Sequence, residues 1–280
     1  MSMQYRYPGV TPFTQAQQHL FFGRDQDVVE LHKVVQREAL VVLHSKSGLG
    51  KSSLLNAGLL STVEQSDQYA PLVVRLGAYS VDNEGSPLDK IKDLLPEQHT
   101  LLNRLLPDES ALWTRVKAYQ LEHHRQPLLI LDQFEEIFSY PEAEILAFQQ
   151  DLAELLYTNM PLRYRRRLET AEGLSEDEEE LLEAPLDPHV LLAIRSDRLH
   201  LLDRMKKYFP NILRNSFELH ALNTDDAKAA IVQPAALVGD DYLSPAYTYE
   251  KAALDRMLDY LQDDQGRVEG ILIQMLCEYY

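Results

Sequence analysis

Apolar residues along this chain fall into short unbroken blocks separated by longer stretches in which they recur at helical spacing. The blocks at residues 40–44 (LVVLH), 72–76 (LVVRL), 128–131 (LLIL) and 190–194 (VLLAI) predict buried strands, and residues 216–219 (SFEL) predict a fifth. Between them, residues 25–38, the leucine-rich stretch from Ser52, and residues 141–162 carry apolar positions at the period of an amphipathic helix. Gly23 and Asp25 open the first of these. Residues 86–125 read as helix and loop, and residues 224–236, 248–262 and 268–280 as three more helices, the first with Thr224 at a cap-like position and Asp225 and Asp226 in its first turn. Strands alternating with helices in this way predict an α/β fold around a parallel sheet. Three regions follow: residues 1–38 as a lead and a helix, 39–222 as the α/β core, and 223–280 as a helical subdomain.

One stretch breaks the pattern. Residues 161–188 hold a basic cluster at 163–167 and an acidic run at 176–183. These fit either a nucleic-acid contact with an interaction tail or a solvated helical excursion, and the excursion is the expected form. At 280 residues and 45% hydrophobic, the chain is long enough for a full α/β core and a smaller second unit. A formal charge of −17 argues against holding nucleic acid by general phosphate attraction, although it leaves room for a local basic face. Cys277 is the lone cysteine, so no internal disulfide forms; this suits a reducing cytoplasm, and Cys277 reads as a core filler. The N-terminus lacks the apolar stretch of a secretory signal, and no apolar run approaches bilayer length, so a soluble chain is expected. The sequence stops inside the apolar ILIQMLCEYY without a helix stop signal, which predicts that the helical subdomain continues in a longer protein.

Candidate chemistry gathers at the ends of the strand blocks. After residues 40–44 comes SKSGLGKS, which fits the phosphate-binding pattern G-x-x-x-x-G-K-[ST] except that Ser45 stands in place of the first glycine. Gly48 and Gly50 let the backbone curl so that N–H groups between Ser47, Gly48, Leu49, Gly50, Lys51, Ser52 and Ser53 face phosphate oxygens, beside the positive end of the next helix. Lys51 would reach the β- and γ-phosphates, and Ser52 would ligate Mg²⁺. The alternative is a glycine turn with a chance Gly-Lys-Ser. Residues 128–131 run straight into Asp132, an acid at the end of a buried strand, placed to hold Mg²⁺ through water. The next position is Gln133, a neutral amide and a poor proton acceptor. Glu135 is then the candidate base for a water, or else a solvated first-turn glutamate. The block 190–194 ends in Arg195, a cation placed to neutralise a γ-phosphate. His123 and His124 have no partners at metal-ligand spacing and read as a polar helix end.

The succession YPGVTPF, FFGR, helix, SGLGKSSLLNAGL, LDQFEE and AIRSD resembles the NTPase domain of STAND signal-transduction ATPases, in particular the bacterial novel STAND groups. That resemblance implies a three-layer P-loop NTPase fold with five parallel strands in the order 5-1-4-3-2 and a C-terminal helical lid over residues 223–280. It implies that Phe22, Gly23 and Arg24 lie along the adenine, although Phe21 and Phe22 also suit a hydrophobic staple ahead of a helix. Asp197 is then a structural neighbour of the sensor-like Arg195. The lid proline expected at the adenine is not matched by Pro234, and Gly270 stands at its expected place. The implied activity is a slow ATP hydrolase acting as a switch, off with ADP, on and self-associating with ATP, including in defence against phage. A DNA-handling ATPase of the AAA+ initiator type and a nucleotide-holding scaffold without turnover are the alternatives.

Overall fold

The computed structural model describes residues 3–80, 85–97, 99–106, 111–170, 173–239 and 241–278. Residues 1–2, 171–172 and 279–280, which belong to the expected lead, charged excursion and lid, lie outside the described residues. Five strands, β1 (Leu40–Ser45), β2 (Tyr69–Arg75), β3 (Gln126–Asp132), β4 (His189–Arg195) and β5 (Ser216–Glu218), form one sheet. Its order is β2-β3-β4-β1-β5, the expected 5-1-4-3-2 read from the other edge. Neighbouring strands run parallel, and the β2–β3 register ends with Arg75 opposite Asp132. Leu128, Leu129, Ile130 and Leu131 are fully buried, as are Leu191, Leu192, Ala193 and Ile194. Strands covered on both faces need no polar alternation, which is why they read as unbroken apolar blocks. β2 starts at Tyr69, ahead of the expected Leu72. Pro71 interrupts the apolar pattern there, and an edge strand tolerates a residue without an N–H.

The helices are α1 (Asp25–Arg37), α2 (Lys51–Ser53), α3 (Leu60–Gln65), α4 (Pro87–Lys92), α5 (Thr100–Leu105), α6 (Leu112–His123), α7 (Glu142–Tyr157), α8 (Leu162–Glu169), α9 (Glu176–Glu183), α10 (Thr224–Ala236), α11 (Lys251–Leu261) and α12 (Gly270–Glu278). Between α2 and α3 the chain stays helical but widens into a π-helix over Leu54–Leu59. Among the described residues no helix is long and apolar enough to cross a membrane.

The chain divides into two compact units. The first comprises Met1–Lys33, Leu43–Gln65 and Phe217–Tyr280. Its core gathers Ala227, Ile231, Leu254, Leu258, Leu261, Val268, Ile273 and the buried Cys277 around Tyr7. The N-terminal lead is stitched to the end of α10: Arg6 donates to the carbonyls of Pro234 (2.7 Å), Leu237 (2.8 Å) and Ser244 (3.0 Å). A cation there complements the negative end of the helix. α10 is capped by Asn223, whose side chain accepts from the Asp226 N–H at 2.9 Å, one residue before the expected Thr224. The Thr224 hydroxyl is occupied instead as acceptor for the Gln262 amide at 2.9 Å.

The second unit comprises Val34–Val42 and Ser66–Ser216. Trp113, Phe134, Phe148, Leu152 and Tyr164 pack with the buried strand residues into its core. The charged stretch forms α8 and α9, and its charges are in part paired: Arg163 with Glu154, and Arg104 with Glu178 at 2.7 Å. His123 is the last residue of α6 and His124 caps it in the left-handed conformation, φ 54°.

Candidate functional site

In the first unit, β1 ends at the fully buried Ser45, and the chain turns through Lys46, Ser47 and Gly48, all exposed, into Leu49 and Gly50. Gly48 and Gly50 take φ values of +83° and +94°, the left-handed region that a side chain would strain. Helix formation begins at once, with the Leu54 N–H donating to the Gly50 carbonyl at 2.8 Å. Lys51 folds back over the loop, its ammonium donating to the Ser45 hydroxyl (3.1 Å) and reaching the Ser45 carbonyl (3.4 Å). The Ser45 hydroxyl in turn donates to the Lys46 carbonyl at 2.8 Å. The residue that departs from the motif therefore anchors the motif's lysine. Ser52 is half-buried, and Ser53 is buried with its hydroxyl accepting the Phe13 N–H at 3.1 Å.

Phe22, Gly23 and Arg24 lie in the same unit. Gly23 has φ +79°, and a Cβ there would come within 2.3 Å of the Asp226 carbonyl oxygen, so only glycine fits. Phe21 packs on Phe13 with ring centroids 5.3 Å apart. Phe22 is half-buried. Arg24 is buried, and its guanidinium donates to the Leu49 carbonyl (3.0 Å), the His220 carbonyl (2.8 Å) and Asp27 (2.7 Å). Burial pushes this guanidinium below its ordinary pKa, opposed first by the hydrogen bond and charge of Asp27 and then by Asp226.

In the second unit, β3 delivers Asp132 to its carboxyl end, where a carboxylate oxygen accepts the Gln133 N–H at 3.0 Å. The Asp132 carbonyl accepts from Leu76 at 2.9 Å. Gln133 sits at φ 57°, uncommon for a side-chain-bearing residue, and its amide oxygen accepts from Arg75 Nε at 3.0 Å. Glu135 accepts the Arg195 backbone N–H at 3.3 Å, so the ends of β3 and β4 are tied through that carboxylate. The Arg195 guanidinium makes a two-pronged pair with Asp197 at 3.1 and 2.9 Å. Asp132, Gln133, Glu135 and Arg195 thus gather within this unit. Among the described residues no group of three or more His, Cys, Asp or Glu side chains is arranged to hold a metal ion.

A family model described as Novel STAND NTPase 1 matches residues 7–273. The chain belongs to the novel STAND NTPase 1 family. The matched span includes FFGR, the phosphate loop, LDQFEE and AIRSD. No curated protein sequence matches this novel STAND NTPase 1 chain. Among solved structures it is similar to the ORC2 protein of Aeropyrum pernix in its ADP form, with 17% identity and a TM-score of 0.55 over 92% of this chain and 64% of that one. A Walker-type ATPase of Pyrococcus abyssi has 13% identity and a TM-score of 0.57, over 96% and 70% of the two chains. Cdc6p of Pyrobaculum aerophilum has 12% identity and a TM-score of 0.50, over 96% and 62%. These likenesses are of fold. The chain spans 64% of the length of ORC2.

Three residues of this novel STAND NTPase 1 chain escaped the sequence reading. Arg75 ends the apolar run of β2 as Arg195 ends that of β4, so the same signal marked it. Asp27, three residues after Arg24, reads as an ordinary first-turn acid. Ile271, whose N–H meets the Gly48 carbonyl at 3.3 Å, carried no signal, because a backbone donor has no sequence signature.

Proposed function

We propose that this domain binds ATP and ADP and acts as a nucleotide-dependent switch: closed with ADP, open and self-associating with ATP, and reset by slow hydrolysis. The observation that carries the reading is Lys51, held over a loop with two left-handed glycines at the head of a helix. Backbone N–H groups there would receive the phosphates and the Lys51 ammonium would neutralise them. Ser52 and Asp132 offer the hard oxygen donors that Mg²⁺ takes, and a cation that keeps most of its water needs no dedicated cluster of ligands. Bound Mg²⁺ would neutralise charge on the phosphates. Arg195 is the proposed sensor of the γ-phosphate, Glu135 the proposed base, and Phe22 with the backbone at Gly23 the proposed edge of the adenine site. A role in cytoplasmic signalling, including defence against phage, comes from the family resemblance and belongs to this proposal.

Calorimetry tests the reading. Lys51→Ala is expected to remove most ATP and ADP binding with the fold retained, because no neutral side chain replaces that point charge. Unchanged ATP affinity would exclude the phosphate-loop assignment. Asp132→Ala is expected to abolish Mg²⁺-dependent phosphate release while leaving much of the nucleotide affinity, and equal loss of both would make Asp132 a support for the sheet alone.

A further inference from the structure

The phosphate loop is held from behind at two consecutive carbonyls. Arg24 Nη2 donates to the Leu49 carbonyl at 3.0 Å, and the Ile271 N–H, in the first turn of α12, donates to the Gly48 carbonyl at 3.3 Å. A trans peptide is planar, with its C=O and N–H on opposite sides, and no cis peptide occurs among the described residues. Fixing the oxygens of Gly48 and Leu49 outward therefore directs the N–H groups of Leu49 and Gly50 the other way, into the curl of the loop. Successive N–H groups turned to one side form a concavity for anions. Two further features make the restraint rigid. A Cβ on Gly48 would sit 3.1 Å from Ile271 Cγ2, so loop and helix are already in close contact. Arg24 itself is pinned by Asp27 and His220 at the planar fork of its guanidinium, and Gly23 brings its backbone against Asp226 at the start of α10.

We infer that Arg24 and the first turn of α12 are positioning groups for phosphate, acting through the loop backbone, and that Arg24 does not serve the nucleotide by contacting its base. The inference rests on the phosphate-loop reading above and adds a consequence to it. α12 contacts the phosphate loop directly, so its placement sets the strength of phosphate binding.

Inorganic pyrophosphate, which has phosphates and no base, separates the roles. The 280-residue chain and its Arg24→Lys, Arg24→Gln and Ile271→Pro variants would be titrated with pyrophosphate and with ADP, reading dissociation constant and stoichiometry together. Proline is tolerated in a first helical turn but donates nothing, so Ile271→Pro removes the second restraint together with the Ile271 side chain that faces Gly48. The expected result is a rise of about tenfold in the dissociation constants of both ligands for Arg24→Lys, and a smaller equal rise for Ile271→Pro, with stoichiometry unchanged. Weakened ADP with unchanged pyrophosphate would return Arg24 to the base and overturn the inference. Unchanged affinities with reduced stoichiometry would show a fold-stabilising role only, and overturn it too. If Arg24→Gln does not fold, Arg24→Lys and Ile271→Pro still decide. Failure of the unsubstituted chain to bind either ligand would refute the phosphate-loop reading itself.

Discussion

Lys117 lies on α6 with no exposed surface, its ammonium donating to the Ala184 carbonyl at the end of α9 (2.7 Å) and to the Gln120 amide oxygen (3.0 Å). Burial pushes its pKa down to about 8. In the unfolded chain a lysine titrates near 10.4. Between these values the unfolded state binds more protons than the folded one, so stability rises with pH across that window; below pH 8 both states are protonated and the desolvation penalty is fully present. Lys117→Met removes this contribution. The wild-type chain is therefore expected to gain roughly 1–3 kcal/mol relative to Lys117→Met between pH 7.5 and 10, read from urea midpoints. A difference that stays constant would mean that Lys117 titrates as a solvated lysine does. Nothing in RVKAYQLEHH marked this residue as buried, because the shorter of its two hydrogen bonds goes to a carbonyl 67 positions away. Ser45 was legible only as a departure from a motif, whereas its grip on Lys51 needed coordinates. Asp132 and Arg195 stood out in the sequence because each ends an unbroken apolar strand, and such strands admit a charge only at their ends, whereas Lys51 stood out through the phosphate-loop pattern.

At the scale of elements, every strand was legible to within a few residues, while the order of the strands was not. Apolar blocks say that a sheet is buried, and the order came from the family resemblance alone. Helical periodicity likewise located the helix after the phosphate loop but gave no sign that Leu54–Leu59 is π-helical. That widened segment contains Gly58, where a Cβ would lie 2.5 Å from Val28 Cγ2 on α1 and 3.4 Å from Phe21 Cε1. Two effects compete in Gly58→Ala. Helix propensity favours alanine by up to about 1 kcal/mol, and overpacking opposes it by about 1–3 kcal/mol. Valine is stiff at χ1 and moves aside poorly, so the clash is expected to win and the variant to unfold at lower denaturant. Adding Val28→Ala should recover part of the loss, with a coupling of at least about 0.5 kcal/mol in the double-mutant cycle. Strict additivity would show that the α1 contact does not limit this position, and a stabilised Gly58→Ala would show that propensity prevails.

For the whole molecule, two properties bear on what it does in solution: its charge and its proposed rate. A net charge of −17 repels a polyanion. The likeness to ORC2 and Cdc6p is one of fold, so no duplex-DNA affinity with a steep salt slope is expected in filter binding, and finding one would revive the initiator-type alternative. The rate follows from the groups at the ends of β3 and β4. A base for the attacking water must accept a proton, and the Gln133 amide is a poor acceptor whose oxygen is already bonded to Arg75. Glu135 has the right chemistry, but one of its oxygens accepts the Arg195 N–H. A chain so equipped should hydrolyse slowly, which suits a switch whose ATP-bound state must outlast the assembly it permits. Ras, which orients water with a glutamine, turns over at roughly 10⁻⁴ s⁻¹ until an arginine from outside raises the rate about 10⁵-fold. The 280-residue chain is therefore expected to release phosphate far more slowly than the median enzyme value of about 10 s⁻¹. Glu135→Gln should lower the residual rate with ATP binding preserved. Gln133→Glu should raise the rate only weakly while Arg75 pairs with the new carboxylate, and further once Arg75→Gln frees it. Turnover near the median, indifferent to Glu135→Gln, would exclude both Glu135 as the base and a slow switch as the function of this domain.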